Sequence, residues 1–206
     1  MLQLDHIMYA VPDLNAGIDD MAAKLGVRPV YGGEHPGRGT HNALLSLGSG
    51  QYLEIIAPDP NQGGDKSGSI TDLRDLDGPQ IKTWAVATDN FEDLQQVCRE
   101  QGFSFNKVVM SRATPAGPTL NWELLFVSGH GFGDLFPFFI DWLESPHPSA
   151  TTLRGGSLVS FTVETSDAPR YQALMSAFDI NGIQVHAGAD RLRATIQGLQ
   201  GETVEI

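Results

Sequence analysis

The feature that most constrains this fold is a strand–helix–strand–strand–strand pattern that occurs more than once along the chain. In the first copy, an apolar run over 4–11 predicts a strand, and apolar residues at helical spacing predict a helix that ends at Gly26. The segments 41–47 and 51–57 predict two further strands, which a Gly-Ser-Gly turn joins. Because a repeated half-unit usually closes its cavity against another copy, this pattern predicts paired modules.

Later segments repeat the pattern and divide the chain. In the second copy, Asn90 is the expected N-cap of a helix that ends at Gly102. The third copy is weaker, although its VEI ending matches the LEI of the first. We expect one compact unit overall. The predicted divisions are a first βαβββ module over 1–58, a connector rich in Gly, Pro, Asp and Ser over 59–80, a second module over 81–147 and a degenerate third module over 157–206.

Composition and charge limit the class of function. Of the 206 residues, 41% are hydrophobic and 18% are charged, which is typical of a globular protein. The formal net charge of −12 and the scattered Lys and Arg residues argue against nucleic-acid binding, because phosphates demand a basic face. The sequence contains no run of about eighteen apolar residues, so it predicts no membrane span. Cys98 is the single cysteine and allows no internal disulfide, so we expect a cytoplasmic protein.

The most informative candidate residues are a histidine and a glutamate on two predicted strands. Side chains alternate along a strand, so a cavity-facing His6 shares its face with Met8, and a cavity-facing Glu54 shares its face with Tyr52 and Ile56. A carboxylate buried among apolar neighbours needs a cation, a metal or a proton. The residues alone also allow a structural histidine near a sheet edge and a carboxylate on a solvated face.

The glycine-rich segment GGEHPGRGTHN offers candidate ligand-binding groups. Its glycines allow the backbone to approach a ligand closely, and His35, Thr40 and Asn42 could bind polar groups of that ligand. Strand parity predicts that Asn42 points inward and His41 outward. The alternative is that these residues stabilise a turn.

Four segments, LDHIMYAVPDL, GGEHPGRGTHN, QYLEIIAPD and PFFIDW, resemble the glyoxalase-like branch of the vicinal oxygen chelate superfamily. The resemblance covers 4–147 well and reaches 157–206 only through the repeat. It implies an α+β fold of repeated βαβββ modules whose curved mixed sheets form a cup around a small-molecule site. Many members hold a divalent metal through a His on a module's first strand and a Glu on its last. Those residues are His6 and Glu54 here.

The resemblance leaves the family's set of two His and two Glu incomplete. Aligning KTWAVAT with DHIMYAV assigns Thr83 to the second His, and aligning PFFIDW with QYLEII assigns Asp141 to the position opposite Glu54. In the third copy, Ser160 and Glu205 fall at these positions.

The resemblance implies a divalent metal in the site, which could be zinc, nickel, manganese or iron. Carboxylates would bind this metal or act as bases. The implied metal ligands are His6, Glu54 and Asp141. Glu54 and Asp141 are the implied catalytic residues, because a carboxylate that does not coordinate the metal could act as a base. The expected substrate-binding residues are His35, Thr40, Asn42, Tyr52 and Thr83.

Three functions remain open at this point. The first is a small-molecule enzyme, a lyase, isomerase or hydrolase, in which the metal binds two neighbouring substrate oxygens as a Lewis acid. The second is a metal-free module that sequesters a small molecule. The third is a dimerising structural or regulatory domain. We expect a homodimer under all three, since an unpaired third module would leave a sheet in need of a partner.

Overall fold

Local signals in the sequence determine where the main helices begin and end. Helix α1, Leu14–Leu25, begins after Asp13, whose side chain accepts a hydrogen bond of 2.8 Å from a backbone N–H in the first turn. Gly26 ends this helix in the left-handed region at φ 69°, which glycine adopts without steric cost. The corresponding capping residues of helix α2, Phe91–Gln101, are Asn90 and Gly102. The sequence predicted the first and the last residues of both helices correctly.

The computed structural model describes residues 1–62, 73, 76–113, 117 and 119–206. The predicted connector therefore lies largely outside the described residues. Within the described part of the chain, no helix combines the length and the apolar character needed to cross a membrane. The strands are β1 Leu4–Ala10, β2 Val30–His35, β3 Thr40–Gly48, β4 Gln51–Pro58, β5 Gln80–Ala87, β6 Ser104–Ala113, β7 Thr119–Ser128, β8 Phe138–Asp141, β9 Gly156–Thr165, β10 Gln184–Ala187, β11 Arg191–Gly198 and β12 Thr203–Glu205, and the shorter helices are a 3-10 helix at Gly133–Leu135, α3 Pro148–Thr151 and α4 Ala168–Ala177.

The first two modules form the two halves of one eight-stranded sheet. The strand order is β2-β3-β4-β1-β5-β8-β7-β6, so the second half repeats the first in reverse. In each half the first strand is parallel to the last, and the two first strands, β1 and β5, pair antiparallel at the centre. The outermost strands β2 and β6 contact each other, because the sheet curves around a cavity. The predicted α+β fold with a cup-shaped sheet is confirmed.

Both faces of this sheet are apolar, and the side chains of each face belong to a different hydrophobic cluster. In β1, Ile7 and Tyr9 belong to the large core that includes α1 and α2, whereas Met8 and Ala10 belong to a separate apolar cluster on the cavity face. This alternation follows from the two-residue period of a strand. The close-packed core behind the sheet holds the backbone that carries the cavity-facing side chains.

The end of the chain repeats the element order of the modules but not their strand order. The elements β9, α4, β10, β11 and β12 follow one another, yet their sheet has the order β10-β9-β11-β12. This unit, 156–206, packs on the face opposite the cavity, where the rings of Phe161 and Trp84 lie 5.1 Å apart. Because the unit is covered within the same chain, it provides no reason for a homodimer. The homodimer and the module boundaries stay predictions.

Candidate functional site

A cavity of about 80 Å³ lies inside the curved sheet. Module 1 contributes His6, His35, Asn42 and Glu54 to it, and Arg112 reaches it from β6. The structure therefore brings His6 and Glu54 together in one cavity. The remaining walls are apolar or aromatic and consist of Met8, Leu44, Tyr52, Ile56, Met110, Trp122, Leu124, Phe126, Phe138, Ile140, Trp142 and Pro148.

Glu54 has one oxygen bound by an amide and the other facing a histidine. Its side chain is 8% exposed, and Nδ2 of Asn42 donates to its Oε1 at 2.6 Å. The Oδ1 of Asn42 accepts from Nη1 of Arg112 at 2.7 Å, so the amide links a cation to the carboxylate. The Oε2 of Glu54 lies 3.7 Å from Nε2 of His6. One carboxylate oxygen thus remains available to a ligand or a proton.

His6 is oriented through the nitrogen that faces away from Glu54. Its Nδ1 lies 2.7 Å from Oδ1 of Asp5, and Tyr52 stacks on the imidazole with ring centroids 4.5 Å apart. Asp5 is 1% exposed, and its Oδ2 also accepts from Nε2 of His147 at 2.9 Å and Nε1 of Trp142 at 3.2 Å. The buried carboxylate is therefore satisfied by three donors.

These hydrogen bonds determine which nitrogen of each histidine carries the proton. Nδ1 of His147 accepts the backbone N–H of Ser149 at 3.2 Å, so a neutral His147 carries its proton on Nε2 and donates it to Asp5. Burial raises the pKa of Asp5, but hydrogen bonds from His147 and His6 outweigh burial and lower this pKa below the ordinary 3.8. An ionised carboxylate only accepts, so a neutral His6 is protonated at Nδ1 and presents an unprotonated Nε2 to the cavity.

His35 lies on the other side of Glu54. Its Nε2 is 3.2 Å from Nδ2 of Asn42, which only donates, so Nδ1 carries the proton that is donated to Oγ1 of Thr40 at 2.9 Å. Burial lowers the pKa of His35 below its ordinary 6.5, although the charge of Glu54 acts in the opposite direction. His35 is therefore neutral at pH 7. Thr40 holds it in position without lining the cavity.

The structure corrects the predicted position of Asp141. Its carboxylate accepts the backbone N–H of Leu143 at 2.8 Å, whereas its strand neighbour Ile140 lines the cavity. Aligned letter by letter, PFFIDW matches Ile140 to Glu54 of QYLEII. A shift of one residue exchanges the two faces of a strand. The prediction that Asp141 faces Glu54 is therefore wrong, and apart from Arg112 the side chains that module 2 contributes to the cavity are apolar or aromatic.

The other predicted equivalents of His6 and Glu54 also lie outside the cavity. Thr83 is fully buried on β5 and borders a second pocket, which shares Met110, Leu124, Phe126 and Phe138 with the cavity. Ser160 and Glu205 belong to the four-stranded sheet, where Glu205 pairs with Arg193 at 2.8 Å. The structure does not bring these three side chains to His6 and Glu54.

The donor set around Glu54 does not fit the predicted metal site. A catalytic zinc uses three protein ligands, and the described residues contain no group of three His, Cys, Asp or Glu side chains suited to a metal. His6 and His35 approach different oxygens of Glu54, at 3.7 and 3.8 Å, and Asn42 already donates to one of these oxygens. The positive charge of Arg112 beside this amide further disfavours a second cation.

Sequence reasoning missed three contributors to the site. Asp5 directly precedes His6, and this adjacency was the available signal for it. Arg112 and His147 reach the site from segments far along the chain and carried no local signal. Tyr52, in contrast, was an expected substrate-binding residue and lies in the cavity wall.

The sequence model of a family described as a glyoxalase-like domain matches residues 4–178. Among curated proteins, no sequence matches the chain.

Several solved structures share the fold. A hypothetical protein from Staphylococcus aureus has a TM-score of 0.75 at 15% identity, with 100% of this chain and 98% of that chain covered. The methylmalonyl-CoA epimerase of Mycobacterium tuberculosis has a TM-score of 0.50 at 25% identity, covering 66% of this chain and 85% of the epimerase. A hypothetical protein from Bacillus halodurans has a TM-score of 0.51 at 17% identity, with 70% and 97% covered. The likeness to the two hypothetical proteins shows the fold alone.

Proposed function

The chain belongs to the glyoxalase-like domain family, and we propose that it is a small-molecule enzyme in which His6 and Glu54 move a proton between a substrate carbon and the protein. The reaction class is an isomerisation or a lyase reaction that begins with removal of a proton beside a carbonyl group. The single observation that carries this proposal is the distance of 3.7 Å between Nε2 of His6 and Oε2 of Glu54, two buried groups that line the same cavity.

The proton positions support this chemistry. Asp5 keeps the neutral His6 protonated at Nδ1, so that Nε2 and Oε2 of Glu54 are two acceptors that face each other. Two such acceptors are stabilised by one proton between them, which either group can take from a substrate and return. Because the walls are mainly apolar, little water competes for that proton and the electrostatic interaction is strong.

The comparisons agree with this class of reaction without extending to a substrate. An epimerase inverts a stereocentre, and removal and return of a proton is one way to do so. The Mycobacterium tuberculosis structure carries that activity in its name. The metal that the sequence predicted has no part in the proposed proton transfer, because His6 and Glu54 supply only two donors.

The proposal is tested by exchange of carbon-bound hydrogen with solvent. The protein is incubated in D₂O with a panel of small alkyl and aryl ketones, and exchange beside the carbonyl is followed by NMR. We expect exchange above the buffer rate, and a fall of about 10²–10⁴-fold in Glu54→Gln and in His6→Asn. The matched controls Glu92→Gln and His186→Asn change exposed residues and should exchange like the wild type.

Two results would contradict the proposal. Equal exchange in Glu54→Gln and Glu92→Gln would remove the carboxylate from the mechanism. Loss of exchange after treatment with a chelator, with recovery on addition of zinc, nickel, manganese or iron, would instead support the metal enzyme that the sequence predicted.

A second candidate function, a metal-free binding module, is favoured by the apolar walls that module 2 contributes. Trp122, Phe126, Phe138 and Trp142 form one side of the cavity and offer stacking surfaces but no titratable group. Under this alternative, ketones of the panel quench tryptophan fluorescence, but the wild type exchanges no hydrogen. Cytoplasmic location and a homodimer stay predictions under both functions.

A further inference from the structure

Arg112 lines the cavity and has a buried hydrogen-bond donor with no partner among the described residues. The residue lies on β6 and is 6% exposed. Its Nη1 donates to Asn42, but its Nε has no hydrogen-bond partner among the described residues. A buried N–H without an acceptor costs free energy, and a charged one costs more, so such a group indicates that a ligand supplies the acceptor.

The surrounding residues hold this guanidinium in one place. Asn42 accepts from Nη1 at 2.7 Å. The backbone of Gly32 leaves the required space, because a Cβ there would lie 2.8 Å from Nη1 of Arg112 and 2.4 Å from Oδ1 of Asn42. Residues of β2 and β3 therefore pack around Nη1 and hold the guanidinium at the wall of the cavity.

The charge of Arg112 is not fully used by the protein. Glu54 lies on the far side of Asn42 and binds the amide, and we find no direct ion pair between Glu54 and Arg112 within the described part of the chain. Burial lowers the pKa of Arg112 and the charge of Glu54 raises it, but a guanidinium stays protonated throughout the range in which proteins are folded. The apolar walls strengthen its attraction for a negative oxygen.

We propose that Arg112 binds the oxygen of the substrate that carries or develops negative charge, so that the substrate is a small, largely apolar molecule with a carboxylate or an enolisable carbonyl group. The proposal has a carboxylate arm and an enolate arm, according to whether the substrate oxygen carries its negative charge from the start or develops it. The enolate arm rests on the proposed function. In that arm, Glu54 or His6 takes the proton from the carbon beside the carbonyl, and the C–H electron pair forms a carbon–carbon double bond. The carbonyl π pair moves to oxygen, where Arg112 holds the enolate until the proton is returned.

The carboxylate arm is tested by matched pairs of probes. Acetate and acetamide, butyrate and butyramide, and benzoate and benzamide are titrated by calorimetry and by quenching of the cavity tryptophans. We expect at least one carboxylate to bind about tenfold or more tightly than its amide, which corresponds to one charge-assisted hydrogen bond. In Arg112→Met that preference should fall to within about twofold, while the exposed control Arg191→Met should keep it.

The enolate arm is tested with 4-nitrophenol, whose phenolate form resembles an enolate and absorbs visible light. We expect the bound phenol to ionise at lower pH in the wild type than in free solution. In Arg112→Met, burial without the cation should raise the pKa of the bound phenol above the value in solution. A structural role for Arg112 would not produce this spectroscopic difference.

Arg112→Lys is a second variant, made in case Arg112→Met does not fold. Lysine keeps the charge but lacks the Nε donor. We expect this variant to retain part of the anion preference and a normal circular dichroism spectrum. The proposal is overturned if neither arm shows a preference for the anionic probe in the wild type, or if Arg112→Met and Arg112→Lys keep the full preference. Anion preference without hydrogen exchange would retain Arg112 as an anion-binding residue while contradicting the proposed catalysis.

Discussion

Asp5 and His6 are adjacent on one strand, yet both side chains serve the same site. Regular alternation would put them on opposite faces. The pairing of β1 with β5 shifts register between Leu4 and His6, and such an irregularity allows Asp5 to reach the Nδ1 of its neighbour. Parity correctly assigned His6 and Met8 to one face of β1, and both line the cavity. The role of Asp5, in contrast, depends on a local irregularity that the sequence pattern does not reveal.

Asp5→Asn tests whether the proton position on His6 matters. Asparagine keeps the size of the side chain, but its amide nitrogen would donate to Nδ1 of His6 and so favour a proton on Nε2. We therefore expect hydrogen exchange to fall at least about tenfold with little change in fold, as measured by NMR and circular dichroism. Asp20→Asn, which changes a half-exposed carboxylate on α1, is the matched control. Normal exchange in Asp5→Asn would remove Asp5 from the mechanism.

A second prediction at the residue scale concerns stability against pH. The pKa of His35 is lowered from 6.5 by burial, so the unfolded chain takes up this proton at a higher pH than the folded protein. Below about pH 6.5 the unfolded state therefore binds more protons, and stability falls as the pH falls. His35→Gln removes this term, so its free energy of unfolding should decrease less between pH 7 and pH 5 than that of the wild type.

Urea unfolding at a series of pH values measures this difference. Burial also lowers the pKa of His130, so part of the wild-type decrease should remain in His35→Gln. The exposed control His186→Gln should follow the wild-type curve. A curve for His35→Gln as steep as that of the wild type would show that His35 is not the buried neutral group described here.

At the scale of elements, prediction was reliable wherever a local pattern decides the outcome. The caps Asp13 and Asn90 and the inward faces of β1 and β4 follow from neighbouring residues. Asp141 was misplaced because a register error of one residue on β8 exchanges its two faces. Arg112 could not be predicted, since its contact with Asn42 exists only because the curved sheet brings its outermost strands together.

Gly32→Ala tests the closure between β2 and β6. The new Cβ would lie 2.4 Å from Oδ1 of Asn42 and 2.8 Å from Nη1 of Arg112, so the pair must move apart. The backbone of Gly32 is not in the left-handed region, so the alanine would destabilise the protein through steric clashes and not through backbone strain. We expect a loss of about 1–3 kcal/mol in urea unfolding, together with a weaker preference for anionic probes. Gly78→Ala adds its Cβ in open space and is the control; equal stability of the two variants would contradict this packing.

At the scale of the whole molecule, the terminal unit and the eight-stranded sheet share one core. Phe161 from β9 is 1% exposed and contacts Trp84 of β5, which is fully buried. The hydroxyl of Tyr171 and Nε1 of Trp84 both donate to the carbonyl of Leu135, at 2.6 and 2.8 Å. The strand order of this unit differs from that of the modules, and the unit covers the back of the sheet that carries the site.

This shared core predicts that the unit and the sheet unfold together. Phe161→Ala should cost about 3–5 kcal/mol, because it leaves a cavity against Trp84. Tryptophan fluorescence, which reports on the large sheet, and far-ultraviolet circular dichroism, which reports on the whole chain, should give coincident transitions at lower urea concentration. Val159→Ala, at a position that is 60% exposed on the same strand, should unfold like the wild type. Two separated transitions would instead mean that the terminal unit folds independently of the eight-stranded sheet.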